Sequence, residues 1–438
     1  MYTNLKNKKI LLYSLGCKVN QYESDAMLEA LIKEGCIRYN EASDGNNADE
    51  AGADICIVNT CSVTNMADRK SRQIIHRLRK QHPNAILAAT GCYVQIAGES
   101  LLDDGSIDLI IGNNRKIDVA RILSEYIETG KINDNYIDVN KDSEFENLII
   151  DKPETHTRAY VKIQDGCNEF CTYCIIPYAR GRIKSKKLMD ITKEVDTLAN
   201  NGTREIILTG INVSAYEDSG LGLADVIKRL SKIDGIERIR LSSMDPRIVT
   251  KEFMDKVSII PKFCPHFHLS LQSACNKTLK AMNRKYTIEE YIKACELIRS
   301  YYDRPAITTD VIVGFPGETD EDFETTYKNL ELLNLYEMHI FKYSRRKGTV
   351  ADKLPDQIDE RIKTERSNQL LQLTDKNKKA FEASFKGEKV NVLVEEIVEI
   401  NGEEYYRGHT ERYILVDIPA TTLDPAEDYI NKIIEFTY

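Results

Sequence analysis

Residues 159–174 read AYVKIQDGCNEFCTYC, an apolar stretch typical of a buried strand that is followed at once by three cysteines. This strand is the first of six that alternate with helical patterns between residues 159 and 347. Alternation of this kind predicts a partial (β/α)6 barrel, since a complete barrel needs eight units. The cysteines would then lie on the C-terminal rim, where barrel active sites are built.

The remainder of the chain predicts two more domains, and the protein as a whole is expected to be α/β. Residues 8–120 alternate apolar stretches such as KILLYSLG and ADICIVNT with amphipathic ones, which predicts a doubly wound parallel sheet. Residues 121–152 are polar and acidic and are interpreted as a linker. The barrel and a long helix occupy 153–383, and the β-rich residues 384–438 predict a small five-stranded barrel of the OB-like kind.

The composition narrows the class of protein. The chain has 438 residues, of which 42% are hydrophobic and 29% charged, an ordinary globular balance with a formal net charge of −9. No apolar run is long enough for a membrane-spanning helix, and no leader pattern is present, so we expect a cytoplasmic protein that does not enter the membrane. In a reducing compartment, its 11 cysteines are better explained as metal ligands or catalytic groups than as disulfides.

The cysteine cluster after the first barrel strand has the spacing C-x3-C-x2-C, formed by Cys167, Cys171 and Cys174. Three thiolates can hold three irons of a 4Fe–4S cluster and leave the fourth iron open. A zinc site would need a fourth ligand nearby, and none stands at a suitable spacing. The pattern therefore favours an iron–sulfur cluster with one open position.

A second set of cysteines is spread through the first domain. Cys17, Cys61 and Cys92 each come just after a predicted parallel strand. Because the carboxyl ends of such strands lie along one edge of a sheet, these three thiols can meet in space. The other five cysteines show no paired spacing and are interpreted as small buried apolar residues: Cys36, Cys56, Cys264, Cys275 and Cys295.

Over about residues 8–438 the chain resembles the radical S-adenosylmethionine (SAM) methylthiotransferase family. The resemblance rests on the strings LGCKVNQYES, NTCSVT, TGCYVQ and GCNEFCTYCIIPYARGR, followed by FPGET and a small β domain like the TRAM domain. The resemblance implies two 4Fe–4S clusters and two SAM molecules. One cluster would cleave SAM to a radical, and the other would carry the sulfur that turns a C–H bond into C–S–CH3. The implied ligands are Cys167, Cys171 and Cys174 for the first cluster and Cys17, Cys61 and Cys92 for the second.

The resemblance also implies where SAM binds. Tyr173 would pack near the adenine, and the other candidates follow barrel strands, although glycines at such places are often only turns. The candidate SAM contacts are Tyr173, Thr209, Gly210, Ser242, Ser243, Ser270, Gln272, Gly314 and Gly317.

Three basic runs favour tRNA as the substrate, because clustered lysines and arginines attract phosphates. They can also be merely solvated faces, and the acidic C-terminal segment is an awkward balance for an RNA-binding domain. CTYCIIPYARGR and YSRRKGT resemble the clade that acts on N6-threonylcarbamoyladenosine beside the anticodon. The candidate substrate contacts are Arg72, Arg79, Arg180, Arg182, Arg345 and Arg346, the last two as partners for the threonyl carboxylate.

Other functions are open at this point. Two alternative substrates within the same family are isopentenyladenosine in tRNA and an aspartate of a ribosomal protein. A non-catalytic iron–sulfur or zinc protein that binds RNA is the alternative from another class. The enzymatic reading also requires an electron donor, whose identity the residues do not indicate.

Overall fold

The computed structural model describes residues 2–40, 52–131, 136, 138–141, 144–153 and 157–438. The chain forms two compact units, which we call the sheet unit and the barrel unit. The sheet unit comprises Met1–Ile150, Lys162–Lys186 and Ser344–Asp352, and the barrel unit comprises Asp151–Val161, Lys187–Tyr343 and Lys353–Tyr438. These units differ from the predicted division at residue 153, because the segment with the C-x3-C-x2-C cysteines belongs to the sheet unit.

The sheet unit contains a five-stranded parallel sheet, which confirms the predicted doubly wound domain. Its strand order is β2-β1-β3-β4-β5. The strands are β1 (Lys9–Ser14), β2 (Ile37–Arg38), β3 (Ile55–Thr60), β4 (Ile86–Gly91) and β5 (Leu109–Ile111). The helices are α1 (Lys18–Lys33), α2 (Asn65–Gln81), α3 (Cys92–Ala97), α4 (Val119–Thr129) and α5 (Ile176–Arg180).

The central strand shows why this sheet needs helices on both faces. Every residue of β3 is buried. Ile55 and Ile57 pack into a core cluster with residues of α1 and α4, whereas Cys56 and Val58 pack into a second cluster with residues of α2. Because successive side chains of a strand point to opposite faces, a strand that is buried along its whole length needs a helical layer on each side.

Helix α4 corrects the start of the predicted linker. Ile122 and Leu123 are fully buried on this helix, so the ordered domain continues as far as Thr129. The apolar pairs Ile122–Leu123 and Tyr126–Ile127 carry a helical period that the acidic residues further on obscured. Residues 132–135, 137 and 142–143 of the predicted linker lie outside the described residues.

The barrel unit has the six parallel strands expected of a partial barrel. They pair as β8-β7-β6 and as a second group in which Ser243–Met244 precedes β9-β10-β11. The strands are β6 (Arg158–Lys162), β7 (Glu205–Thr209), β8 (Arg238–Leu241), β9 (His266–Leu269), β10 (Ala306–Val313) and β11 (Glu337–Lys342). The helices are α6 (Leu188–Asn200), α7 (Leu223–Leu230), α8 (Lys251–Val257), α9 (Asn276–Ala281), α10 (Ile288–Tyr301), α11 (Asp320–Leu333) and α12 (Glu360–Ala383).

The C-terminal segment forms a curled antiparallel sheet of the expected OB-like kind, with four strands where five were predicted. Its order is β14-β13-β12-β15. The long strand β12 pairs with both β13 and β15, and a bulge between Val394 and Glu396 lets it bend. One long bent strand therefore takes the place of two of the predicted strands. The strands are β12 (Lys389–Ile400), β13 (Glu403–Thr410), β14 (Leu415–Pro419) and β15 (Ile433–Thr437).

None of the helices in the described part of the chain has both the length and the apolar character needed to cross a membrane.

Candidate functional site

The structure brings Cys17, Cys61 and Cys92 to one edge of the parallel sheet, and we call them the sheet triad. Cys61 directly follows β3, and Cys92 directly follows β4 and opens α3. Cys17 follows β1 by three residues and stands just before α1. The three strands are adjacent in the sheet, so their carboxyl ends, and the cysteines after them, share one end of the sheet.

Two glycines let the chain bring these cysteines together. Gly16 and Gly91 directly precede Cys17 and Cys92, and both have a positive φ, at 104° and 98°. A Cβ atom on Gly16 would lie 2.9 Å from the Cys61 Sγ, and one on Gly91 would lie 2.2 Å from the Thr60 carbonyl oxygen. Only glycine combines this backbone conformation with so close an approach.

The surroundings of Cys61 in the sheet triad favour a sulfur bound to a positively charged iron–sulfur core. Cys61 is buried, and burial together with the neighbouring Cys92 raises the pKa of its thiol to about 12. Metal coordination is what makes a thiolate favourable in such a place, since the cation offsets the buried negative charge. Three sulfurs are available, which matches a cubane cluster with one open iron.

Cys167, Cys171 and Cys174 form the loop triad, which lies between the short strand Gln164–Asp165 and α5 in the same sheet unit. All three side chains are half-buried. Two backbone hydrogen bonds hold the loop. The Cys174 amide donates to the Cys171 carbonyl at 2.9 Å, and the Cys167 amide donates to the carbonyl of Gly181, just after α5, at 3.1 Å. Half-exposed sulfurs on a closed loop suit a cluster that must remain open to a small molecule.

The two triads are linked through neighbouring helices. Helix α5 begins two residues after Cys174 and packs against α3, which begins at Cys92. Asn113 ties them further, because its side-chain amide donates to the Ala179 carbonyl at 2.7 Å and lies 3.9 Å from the Cys92 Sγ. Sequence spacing did not indicate this connection.

The predicted SAM contacts other than Tyr173 lie in the barrel unit, after the ends of strands. Thr209 ends β7, Ser242 follows β8, and Gly314 follows β10. The Ser242 hydroxyl is buried and, among the described residues, has no hydrogen-bond partner. Gln272 has a left-handed backbone with φ of 75°. The positions are those of a rim site, and their contact with SAM stays a prediction: Thr209, Gly210, Ser242, Ser243, Ser270, Gln272, Gly314 and Gly317. Tyr173, within the loop triad, is half-buried.

Three of the six predicted substrate arginines are held by carboxylates of the protein itself, which corrects the idea that they are free for phosphates. Arg180 is 3% exposed and pairs with Glu23 and Asp165. Arg346 is 5% exposed and pairs with Asp68. Arg79 donates to Asp108 and to three carbonyl groups. A guanidinium enclosed by carboxylates and carbonyls cannot also neutralise a phosphate.

The other three arginines are exposed. Arg72 donates to the Tyr93 hydroxyl at 3.2 Å, and Arg182 lies over the Phe170 ring at 4.5 Å. Arg345 is 60% exposed at its side chain and pairs with Asp352 at 2.7 Å. These three remain candidates for substrate contact.

Sequence reasoning missed a polar group on neighbouring barrel strands. His268, Asp310 and His339 lie on β9, β10 and β11 with ligand atoms within 4.8 Å of one another. The His268 Nε2 atom is 3.3 Å from the Asp310 carboxylate, and its Nδ1 atom is 2.9 Å from the Thr308 hydroxyl. Polar residues at alternate positions of buried strands, as in HFHLSLQ, were the available signal.

Comparison with known proteins identifies the same two parts of the chain. Residues 161–330 match the model of the Radical SAM superfamily, and residues 9–112 match that of the Uncharacterized protein family UPF0004. Among solved structures, the radical SAM methyltransferase TsrM from Kitasatospora setae is similar with a TM-score of 0.58 and 14% identity, over 79% of this chain and 77% of that one. At that identity the likeness concerns the fold alone.

Curated relatives match over most of their length. The threonylcarbamoyladenosine tRNA methylthiotransferase MtaB of Aquifex aeolicus is 39% identical over 92% of this chain and 97% of its own. MtaB of Bacillus subtilis is 34% identical over 97% and 92%, respectively. The tRNA-2-methylthio-N(6)-dimethylallyladenosine synthase of Alkaliphilus oremlandii is 35% identical over 90% of this chain and 84% of its own.

These matches confirm the resemblance drawn from the cysteine motifs, and they make the protein an enzyme whose cofactors are two 4Fe–4S clusters and SAM. The chain belongs to the radical SAM methylthiotransferase family.

Proposed function

We propose that the protein converts N6-threonylcarbamoyladenosine, next to the anticodon of tRNA, into its 2-methylthio derivative in the cytoplasm. Two relatives with MtaB names, at 39% and 34% identity over nearly the whole chain, support this nucleoside. The single observation that carries the proposed chemistry is the presence of two separate cysteine triads in one compact unit. An electron donor and a source of sulfur are needed in addition.

The two triads have different tasks in this proposal. When bound, the cluster on the loop triad supplies the electron that cleaves SAM, and the cluster on the sheet triad carries the sulfur to be methylated. The half-buried loop triad leaves an approach for SAM, and Tyr173 between its last two cysteines would flank the adenine. The sheet triad would hold its cluster at the ends of three strands, and residues placed by strands are positioned more rigidly than residues on a loop.

The exposed arginines would hold the anticodon stem-loop. Arg72, Arg182 and Arg345 all belong to the sheet unit, as do both triads. Arg345 is the candidate partner for the threonyl carboxylate, because a guanidinium fork matches a carboxylate. Its present partner Asp352 is a surface contact that a substrate carboxylate can replace.

Isopentenyladenosine is the competing substrate, since relatives at 35–37% identity carry dimethylallyladenosine synthase names. Nucleoside mass spectrometry of tRNA from cells with and without the gene distinguishes the two. We expect 2-methylthio-N6-threonylcarbamoyladenosine to disappear in the deletion strain. If the 2-methylthio-dimethylallyl nucleoside disappears instead, isopentenyladenosine is the substrate. If the tRNA nucleosides are unchanged, the substrate is a protein.

Alanine variants test the division of labour. Replacing Cys61 should lower the iron content from about eight to about four per chain and stop methylthiolation while SAM cleavage continues. Replacing Cys167 should also leave about four irons but abolish SAM cleavage. Cys36→Ala is the matched control, because Cys36 is a buried cysteine of the same unit whose thiol donates to the Leu5 carbonyl. Methylthio product from Cys61→Ala would show that the sulfur comes from elsewhere.

A further inference from the structure

A cluster of buried ions lies beside the sheet triad. Its centre is Glu23 on α1, which is fully buried. Lys116 and Lys162 approach its carboxylate at 2.9 and 2.6 Å, and Arg180 approaches it at 2.8 Å. Asp165 receives Lys162 at 2.6 Å and Arg180 at 3.1 Å. Three cations thus share two carboxylates in the interior of the sheet unit.

Three cations against these two carboxylates leave positive charge in surplus even when both carboxylates are ionised. Burial alone would raise the pKa of Glu23, but Arg180 and the two lysines hold it well below its usual value. Glu146 also faces the lysines, but its pKa is raised to about 7, mainly by burial, so it supplies only part of a charge near neutral pH.

Such a surplus is costly in a protein interior unless a negative group lies within reach. The sheet triad supplies that group when metallated, because three thiolates outweigh the charge of a 4Fe–4S core. Among the described residues, no other carboxylate forms an ion pair with Lys116, Lys162 or Arg180 within 4 Å.

Two asparagines connect the cations with the sulfurs. Arg180 donates from Nη2 to the Asn20 Oδ1 atom at 2.6 Å, and this oxygen is 4.0 Å from the Cys17 Sγ. Lys116 donates to the Asn113 Oδ1 atom at 2.6 Å, and the Asn113 amide nitrogen is 3.9 Å from the Cys92 Sγ. The positive charges therefore stand one side chain away from two of the three sulfurs.

We propose that Arg180, held in place by Glu23, Asp165 and Asn20, is a positioning residue for the cluster on the sheet triad and raises the reduction potential of that cluster through its buried positive charge. The inference rests on the proposed assignment of a cluster to Cys17, Cys61 and Cys92. Reduction adds negative charge to the cluster, and a fixed cation nearby stabilises the more negative form. Arg180 thereby favours a reduced, electron-rich iron at the site that carries sulfur.

The test is a redox titration, followed by electron paramagnetic resonance, of the full-length protein in which Cys167, Cys171 and Cys174 are all alanine. Only the cluster on the sheet triad remains there, and about four irons per chain must be found first. An iron-free protein would overturn both the ligand assignment and this inference. Four irons with unchanged potentials in the variants below would overturn the inference alone.

The variants predict shifts of opposite sign. Arg180→Gln removes a positive charge and should move the midpoint potential to a more negative value. Glu23→Gln removes a negative charge from the same group of buried ions and should move the midpoint potential to a more positive value. Arg180→Lys keeps the charge and should stay near the parent. Shifts of the same sign for Arg180→Gln and Glu23→Gln would indicate general disturbance and overturn the proposal.

The matched control is Glu205→Gln. Glu205 is also a fully buried carboxylate that pairs with arginine, at 2.8 Å from Arg240, but it lies on β7 in the barrel unit. Its substitution should leave the potential unchanged. Should Arg180→Gln fail to fold, Glu23→Gln against Glu205→Gln still decides the question, since only the former is expected to raise the potential.

Discussion

The sheet triad and the loop triad are built in opposite ways. Cys167, Cys171 and Cys174 lie in one short loop, which backbone hydrogen bonds within the loop and to nearby Gly181 hold in place. The sheet triad gathers residues 17, 61 and 92, each placed by a different strand. A local motif can form its site from neighbouring residues, whereas a site at strand ends exists only once the sheet has formed. The sheet triad should therefore be much more sensitive to distant changes in the fold.

The largest expected effect is that of Gly91→Ala. A Cβ atom there would meet the Thr60 carbonyl at 2.2 Å, at a φ of 98° that alanine strongly disfavours. We expect the free energy of unfolding to fall by about 3 kcal/mol. Methylthiolation should fall by a larger factor than SAM cleavage. Urea unfolding, iron content and the two activities measure this.

Gly105→Ala is the control for this comparison. Gly105 also has a positive φ, at 70°, but a Cβ atom there would meet nothing within 4 Å. Its cost should stay near 1 kcal/mol, with both activities retained. If Gly91→Ala reduced SAM cleavage by a larger factor than methylthiolation, the sheet triad would not be the more sensitive of the two triads.

A smaller effect is expected from Arg346→Ala, which tests the loop that follows Cys61. Arg346 donates to Ser62 and Asp68 at 2.7 Å each, so its loss removes two hydrogen bonds from a buried hydroxyl and a half-buried carboxylate. Among the described residues, these two groups then keep only the 3.0 Å bond between them. The free energy of unfolding should fall by about 2 kcal/mol. Thermal unfolding with the iron content is the measurement.

Its neighbour Arg345 provides the contrast. Arg345→Ala removes an exposed side chain and should change the free energy of unfolding by less than about 0.5 kcal/mol. Under the proposed function it should instead raise KM for threonylcarbamoylated tRNA. An unchanged KM would remove Arg345 from the substrate site.

The smallest expected effect concerns pH and the interior beside the sheet triad. The pKa of Glu146 is about 7 in the folded protein, raised mainly by burial, against an ordinary value of about 4.3. Between these values the folded state binds more protons, so the free energy of unfolding falls as pH rises through this window. Glu146→Gln cannot ionise and should be more stable than the parent by about 1 kcal/mol at pH 8 and nearly equal at pH 4.

Thermal unfolding at both pH values checks this expectation. The exposed neighbour Glu144 gives the control, since Glu144→Gln should change stability by less than about 0.5 kcal/mol at either pH. A gain for Glu146→Gln that is the same at pH 4 and pH 8 would contradict a role for ionisation.

Much of the fold could be predicted because periodicity and cysteine position are local signals. Strands β3 and β4 end directly before Cys61 and Cys92, as their apolar runs indicate. The environment of charged residues could not be predicted in this way. Arg180 and Arg182 stand two positions apart in one basic run, yet one is buried and the other exposed. Burial of a cation depends on a carboxylate such as Glu23 that lies 157 residues away in sequence.

The place of Ser344–Asp352 in the sheet unit has a consequence for how the protein is made. Residues 9–111, which build the sheet, leave the ribosome long before Arg346 does. At common rates of synthesis this delay is on the order of tens of seconds. During that time Ser62 and Asp68, in the loop after Cys61 and at the start of α2, lack their hydrogen bonds from Arg346. The hydrogen bonds from Arg346 that fix the loop after Cys61 can therefore form only late in synthesis. Under the proposed assignment, a cluster inserted after that time would enter a site whose neighbouring loop is already fixed.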